Sequence, residues 1–110
     1  MPNETRFEHL VGLHVTDDES YSRYRAGMTP ILAEFGGVFR YDFRGGEVLK
    51  SETPEPINRV FVLSFPSQAA AERFFADPAY AVVRTTHFDP AVAAVTRIAS
   101  YERAVGGGAS

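Results

Sequence analysis

Four segments of the chain have the hydrophobic pattern of β-strands. Residues 7–15 alternate between an apolar face and a mixed face, with the period of two that a strand requires. The apolar face consists of Phe7, His9, Val11, Leu13 and Val15. Aromatic and β-branched residues predict further strands at 38–43, 59–65 and 95–101. Because Gly45-Gly46 permits a tight turn, residues 47–50 are expected to form a short hairpin partner for the second strand.

Helical spacing follows the first strand. We expect Thr16 to cap this helix and Glu19, three residues later, to complete a capping box. Pro30 should bend the helix or break its hydrogen bonds, and Gly36-Gly37 should end it. The apolar stripe of the helix is Tyr21, Tyr24, Met28, Ile31, Leu32 and Phe35.

A second helical region follows the third strand. Ser67 is the expected N-cap, and Ala71, Phe74 and Phe75 supply the buried stripe. Asp77-Pro78 predicts the start of a short further helix, and Asp89-Pro90 repeats that signal more weakly.

The order of these elements predicts an α+β fold. Strand, helix, two strands, helix and strand form the βαββαβ plan of ferredoxin-like domains, with an antiparallel sheet and the helices on one of its faces. We expect a single domain over residues 6–103 and a flexible glycine-rich tail over 104–110. No segment is left to cover the second sheet face, so a second copy of the chain is the expected cover and a homodimer the expected assembly.

Composition narrows the classes of function. The chain has 110 residues and no Cys, which excludes a disulfide scaffold, a cysteine-based metal site and a thiol nucleophile. A pI near 5.5 argues against a general nucleic-acid-binding protein. No apolar run approaches the ~20 residues of a membrane span, and the N-terminal sequence is not that of a signal peptide. We therefore expect a cytoplasmic protein with no nucleic-acid or membrane partner.

Histidines are the first candidates for chemistry, because their charge changes near neutral pH. His9 and His14 are five residues apart on one strand, so they should lie on opposite faces and share no metal ion. His87 lies after the last short helix, where it is our candidate general base; the alternative is an exposed loop histidine. His14 is a candidate ligand-binding residue, the alternative being a hydrogen-bonded residue at a sheet edge. No spacing predicts a metal site or a cofactor.

Tyrosine and arginine side chains are the other candidate ligand contacts. Tyr24, Tyr41 and Tyr80 each carry a hydroxyl that can bind a carbonyl or phenol group in a cavity, and each can equally be a core residue. Arg97 lies on the last predicted strand, on the face that also holds Val95 and Ala99 by simple alternation. It can bind a carboxylate, or it can pair with an acidic residue across strands as Arg40 can.

Several of these segments resemble a known family. Tyr24-Arg25-Ala26, Gly36-Gly37, the run from Arg59 into Pro66-Ser67, and Phe74-Phe75 followed by Asp77, Pro78 and Tyr80 are similar to the domain of unknown function 1330 family. The resemblance covers roughly residues 9–102 and places the chain in the dimeric α+β barrel superfamily.

The resemblance implies a ferredoxin-like protomer whose sheets pair in a homodimer, and it implies no activity. Superfamily relatives include cofactor-independent monooxygenases and isomerases, haem enzymes and proteins without known activity, so fold does not choose among them. One hypothesis is a pocket between sheet and helices that binds a small aromatic or carboxylate ligand, with or without cofactor-free catalysis. The other is a dimeric module that catalyses nothing.

Overall fold

The computed structural model describes residues 4–105. Four strands form one antiparallel sheet in the order β2-β3-β1-β4. In chain order the elements are β1 (Glu4–Val15), α1 (Asp18–Glu34), β2 (Val38–Arg44), β3 (Arg59–Phe65), α2 (Gln68–Phe75), α3 (Pro78–Val83) and β4 (Val92–Val105). The last helix continues into a π-helical turn, Arg84–Phe88. This is the predicted ferredoxin-like α+β architecture.

The first and last strands are longer than the pattern indicated. β1 begins at Glu4 and β4 continues to Val105, because these two strands pair along their whole length from Glu4↔Val105 to Val15↔Val92. Residues 4 and 5, which lie outside the predicted domain, and residues 104 and 105, which were predicted to begin the tail, therefore belong to the sheet. The rest of the predicted tail, residues 106–110, lies outside the described residues, as do residues 1–3.

The hydrophobic core lies between one sheet face and the helices. Leu13, Phe65, Tyr21 and Phe74 are completely inaccessible to solvent there. We call this face of the sheet the helix face and the opposite one the outer face. The residues of β1 predicted to share a face do so, since Phe7, His9, Val11 and Leu13 all line a cleft on the helix side.

The N-cap residue is the predicted one in two of the three helices. Ser67 and Asp77 cap α2 and α3 as expected, through hydrogen bonds from the backbone N–H groups of Ala70 and, for Asp77, of Ala79 and Tyr80. The predicted Thr16 cap of α1 is wrong: Asp17 accepts from the Ser20 N–H at 3.1 Å instead. Thr16 is held elsewhere, because its N–H and hydroxyl both donate to the Ala91 carbonyl.

The end of α1 is as predicted, but its middle is not interrupted. Gly36 has a φ of +74°, a conformation that glycine adopts without the steric cost of a Cβ. Pro30 removes one backbone donor from the helix, but the helix continues through it to Glu34.

The predicted hairpin after β2 is wrong. Residues 47–50 are not in a strand, and Leu49 is 88% exposed, so the segment has no core to pack against. An isolated hairpin of that kind gains too little burial to be stable. The loop ends at Asn58. Its side-chain Oδ1 accepts a hydrogen bond from the Val15 N–H, and its Nδ2 donates one to the Val15 carbonyl. The weaker helix signal at Asp89-Pro90 is also wrong, since these residues form a turn.

Three bulges interrupt the alternation of the edge strands. Arg40, Ala93 and Ile98 have no partner in the strand register, and each shifts the residues beyond it by one position. Ala99 pairs with Leu10, on the outer face of β1, whereas Arg97 pairs with Val11 on the helix face. The prediction that Arg97 and Ala99 share a face is therefore wrong.

Candidate functional site

A cleft of about 590 Å³ lies between the helix face of the sheet and the segments that follow β3. Its floor comes from β1, β3 and β4, and its walls come from α1, α2, α3 and the π-helical turn. The lining is largely aromatic and aliphatic, as in most small-molecule sites. The polar residues among those that line it are His9, Tyr24, Gln68, Glu72, Tyr80, Arg84, Arg97 and Ser100.

His9 lies in the floor of this cleft. Its ring is buried, with 6% exposure, and contacts three aromatic rings edge-on or at a steep tilt: Phe7 at 5.0 Å, Phe75 at 5.7 Å and Phe65 at 6.3 Å between centroids. The His9 Nδ1 lies 2.6 Å from the Ser100 Oγ. The aromatic contacts and this hydrogen bond together fix the orientation of the imidazole.

Burial lowers the pKa of His9, and the positive charge of Arg97 lowers it further. Both effects disfavour the imidazolium, because burial removes hydration and the guanidinium repels a second positive charge. His9 is therefore neutral at neutral pH and has one nitrogen able to accept a proton.

Two tyrosine hydroxyls meet in the wall opposite the sheet. The Tyr24 and Tyr80 oxygens are 2.9 Å apart, and both side chains are almost fully buried. Burial raises the pKa of Tyr24 and the neighbouring Tyr80 raises it further, so the Tyr24 hydroxyl keeps its proton. Since one hydrogen bond uses only one of the two protons, the pair retains an O–H group that can donate to a ligand.

The charged side chains of the cleft carry a net positive charge. Arg84 is partly engaged, because its guanidinium lies 4.8 Å above the Phe88 ring and 3.7 Å from an Asp89 oxygen. Within residues 4–105, Arg97 has no ion pair. Glu72 contributes the one carboxylate among the lining residues, so the two arginines outnumber it.

The structure brings together half of the residues singled out in the sequence. Tyr24, Tyr80 and Arg97 line the cleft. His87 does not line it; the π-helical turn presents the His87 backbone carbonyl to the Ser20 hydroxyl at 2.9 Å. These placements leave the proposed roles as predictions, but they separate the candidate base His87 from the candidate ligand contacts.

The other two candidates lie on the outer face. Tyr41 pairs with Val62 in the sheet register, is 50% exposed, and stacks on Phe43 with ring centroids 5.9 Å apart. His14 is opposite to His9 in the alternation of β1, as predicted, and its Nδ1 is buried without a hydrogen-bond partner in the described chain.

The sequence contained a signal for His9 but none for Ser100. His9 is the one polar residue in the apolar stripe of the first strand, and a buried polar residue is an informative exception to such a pattern. The sequence could not place Ser100 in the site with Arg97, because simple alternation puts residues 97 and 100 on opposite faces of the strand. The bulge at Ile98 brings both onto the helix face, with Ser100 beside His9 and Arg97 beside Val11.

The outer face contains a different ionic cluster around Glu8. This carboxylate is completely buried, and it accepts hydrogen bonds from Arg40 at 3.0 Å and Arg103 at 2.8 Å. Burial alone raises the pKa of Glu8, but the hydrogen bonds from Arg103, Tyr101 and Ser64 and the charge of Arg40 outweigh it, so the pKa is below its ordinary value. Arg40 thus pairs with an acidic residue, as the structural alternative predicted.

The described residues contain neither a metal-binding cluster nor a helix that could span a membrane. No group of three or more His, Cys, Asp or Glu side chains within residues 4–105 is arranged to hold a metal ion. In the same range, no helix has both the length and the apolar character needed to cross a membrane.

Solved structures with the same fold support this architecture. A protein of unknown function from Rhodopseudomonas palustris is 20% identical, with a TM-score of 0.73 over 91% of this chain and 82% of that one. A dabb family protein with a ferredoxin-like fold from Mesorhizobium loti is 17% identical, with a TM-score of 0.59 over 94% of this chain and 100% of that one. At these identities the likeness shows the fold alone.

A third solved structure is that of a protein described as dimeric. A dimeric ferredoxin-like protein of unknown function from Jannaschia sp. is 17% identical, with a TM-score of 0.52 over 91% of this chain and 99% of that one. No curated protein matches the chain. The model of the family described as domain of unknown function (DUF1330) matches residues 9–101. The chain therefore belongs to the DUF1330 family, and it has the ferredoxin-like fold of the dimeric α+β barrel proteins.

Proposed function

We propose that this protein binds a small aromatic acid in the cleft between the sheet and the helices. The observation that carries the proposal is Arg97, a guanidinium without an ion pair in the described chain, in a cavity whose lining is largely aromatic and aliphatic. Arginine binds carboxylates through two parallel hydrogen bonds, and aromatic walls favour a flat apolar group. A cavity of about 590 Å³ has the volume usual for small-molecule sites.

The charge of the ligand follows from the charges around the cleft. Arg84 and Arg97 face one carboxylate, Glu72, so a negatively charged ligand gains favourable electrostatic energy there. His9 adds no charge because it is neutral.

Calorimetric titration with phenylacetate tests the proposal, with phenylacetamide as the uncharged analogue of the same shape. We expect phenylacetate to bind at least about tenfold more tightly, since a charged hydrogen bond contributes about 1.5–3 kcal/mol. Arg97→Gln should remove most of that preference, because the remaining guanidinium, Arg84, is already engaged by Phe88 and Asp89. Arg23→Gln is the matched control, because Arg23 is an exposed residue of α1 with only a long contact to Glu19. Equal affinity for the acid and the amide, or an unchanged preference in Arg97→Gln, would contradict the proposal.

We also propose that two copies of the chain pair through their outer sheet faces. On this face Val38, Tyr41 and Phe43 of β2 are each at least half exposed, so an apolar strip is open to a partner. A symmetric pair of sheets covers both strips at once. The dimeric ferredoxin-like protein from Jannaschia supports this assembly.

Cytoplasmic location remains part of the proposal, supported by the lack of Cys.

Sedimentation equilibrium tests the dimer. Phe43→Lys places a charge in the apolar strip, and we expect it to weaken the dimer strongly. Val82→Lys is the matched control, because Val82 is an equally apolar residue of α3 with 65% exposure, away from the outer face. A wild-type protein that is monomeric at millimolar concentration would contradict the dimer.

A further inference from the structure

His9, Ser100 and Arg97 form a group that ligand binding alone does not require. Binding an aromatic acid needs a cation and apolar walls, but it does not need a buried imidazole with a hydrogen-bonded hydroxyl. The Ile98 bulge places Ser100 and Arg97 on the same face, opposite His9 and Val11 of β1. Bulges that redirect a side chain are common beside active sites.

The His9 imidazole is arranged to accept and return a proton. Its Nδ1 is occupied by the Ser100 hydroxyl at 2.6 Å, so its Nε2 is the nitrogen left for a ligand in the cleft. A serine hydroxyl both donates and accepts. When Nε2 is free to accept a proton, the neutral ring carries its one proton on Nδ1, so Nδ1–H donates to the Ser100 Oγ, and it still donates after Nε2 takes up a proton.

The environment keeps the imidazole in its basic form. Phe7, Phe65 and Phe75 surround the ring, and Arg97 is the cation that acts on it from β4. The other charged or titratable groups of the cleft are Glu72 on α2, Arg84 on the π-helical turn, and the Tyr24 and Tyr80 hydroxyls. A neutral histidine held near a bound ligand is the usual general base.

A hydrogen-bond donor is available for the negative charge that proton removal creates. The Phe75 ring contacts both His9 and Tyr80, at 5.7 Å in each case, so the tyrosine pair lies one ring away from the imidazole. The free O–H of that pair can donate to a developing oxyanion. A preorganised donor of this kind in a buried site is a strong source of rate enhancement.

We propose that His9 is the general base of a keto–enol tautomerisation of an aryl-substituted 2-oxo acid, a reaction that rests on the proposed binding of an aromatic acid. Nε2 removes a proton from the carbon beside the ketone, and the C–H electron pair becomes the C=C bond. The carbonyl π pair moves to oxygen, where a tyrosine hydroxyl of the Tyr24–Tyr80 pair stabilises it. The imidazolium then gives the same proton to that oxygen, which completes the enol. The step is a rearrangement within one molecule and consumes no oxidant, reductant or cofactor.

Conversion of phenylpyruvate from enol to ketone, followed by ultraviolet absorbance, tests the proposal. We expect the wild-type protein to accelerate this conversion above the buffer rate. His9→Asn should lower kcat by about 100-fold or more, the usual contribution of a general base. Phenylacetate affinity should change little in this variant, which shows that the fold and the cleft survive. His87→Asn tests the rival base directly: loss of activity in this variant and not in His9→Asn would overturn the proposal.

Ser100 is a positioning residue, and its test is a pH profile. Ser100→Ala should displace the acid limb of the kcat profile, because the His9 Nδ1 loses its partner, whereas Ser100→Thr should restore it. A profile that is identical in wild type and Ser100→Ala would overturn this role.

A wild-type protein that binds phenylacetate but does not accelerate phenylpyruvate conversion would overturn the proposed reaction and leave the binding proposal intact. Failure to bind phenylacetate contradicts the proposed function itself.

Discussion

Glu8 and His9 are adjacent residues of β1 that face opposite sides of the sheet, and both are buried. The pKa of each is below its ordinary value, but for opposite reasons. On the outer face, two guanidiniums and two hydroxyls stabilise the charged form of Glu8. On the helix face, aromatic rings and a repelling guanidinium destabilise the charged form of His9. Burial therefore gives an ion pair on one side of the sheet and a neutral base on the other.

This difference indicates which group stabilises the fold and which group can interact with a ligand. The Glu8 oxygens are used by Arg40 and Arg103, so the carboxylate has little capacity for a ligand. His9 uses one nitrogen for Ser100 and keeps the other. A buried ionisable group with unused capacity, next to a cavity, is the better candidate for function.

Removing the outer-face carboxylate should have the largest effect on stability. Glu8→Ala leaves Arg40 and Arg103, with only 28% and 36% of their side chains exposed, without their anion. We expect a loss of about 1–3 kcal/mol in the free energy of unfolding, measured with urea. Glu19→Ala is the control: its carboxylate is 85% exposed in a 3.9 Å contact with Arg23, so it should change stability by less than about 0.5 kcal/mol. Equal losses in the two variants would refute a structural role for Glu8.

The acid dependence of stability should separate Glu8 from other carboxylates. Its folded pKa is lower than that of the unfolded chain, so as pH falls the unfolded state takes up this proton first. The stabilisation is present above the ordinary pKa of 4.5 and is lost as pH falls through the lowered folded value. The difference in unfolding free energy between wild type and Glu8→Gln should thus shrink below pH 4.5. A constant difference down to the acid transition would contradict this assignment.

Replacing the base with an apolar ring should affect stability less. His9→Phe retains the contacts with Phe7, Phe65 and Phe75 and leaves only an exposed serine hydroxyl unpaired. We expect a change within about 1 kcal/mol, since removing a buried polar group can be nearly neutral. Wild-type stability due to neutral His9 is present above its ordinary pKa of 6.5 and is lost as pH falls through the lowered folded pKa. This dependence should be absent from His9→Phe in urea denaturation across that range.

The smallest effect is the electrostatic influence of Arg97 on His9. Arg97→Gln removes one repelling charge, so the pKa of His9 should rise toward its ordinary value while burial still holds it below. An NMR titration of the assigned imidazole resonances measures this shift. Arg23→Gln on α1 should leave the His9 titration unchanged, and a fall in the His9 pKa in Arg97→Gln would show that the two side chains do not interact as described.

The parts of the fold that sequence reasoning predicted are those fixed by local rules. Residues 59–65 form β3 with the predicted bounds because a run rich in β-branched and aromatic residues ends at Pro66. Ser67 and Asp77 cap their helices because each side chain reaches a backbone N–H two or three residues ahead. The hairpin at residues 47–50 failed because it depends on a packing surface that the segment does not have.

The candidate site was predicted in part for the same reason. Tyr24 and Tyr80 lie on helical stripes that local periodicity shows, and both face the cleft. His87 was favoured as a base because it follows a helix near the expected mouth, but the π-helical turn presents its backbone to α1. Which of three histidines faces a cavity depends on how helices pack on the sheet, and that packing has no counterpart in local spacing.

The amino-acid sequence alone determined the order of the elements, the faces of β1 and the opposite orientations of Glu8 and His9, because these follow from a period of two along an unbulged strand. Only the tertiary structure decided that Ser100 and Arg97 share the helix face and that Arg40 reaches Glu8, because each arrangement depends on a bulge in an edge strand. A bulge is set by the cross-strand register, and the register depends on segments as far apart in the chain as Glu4 and Val105. The local sequence pattern therefore gives no information about this register before the strands are paired.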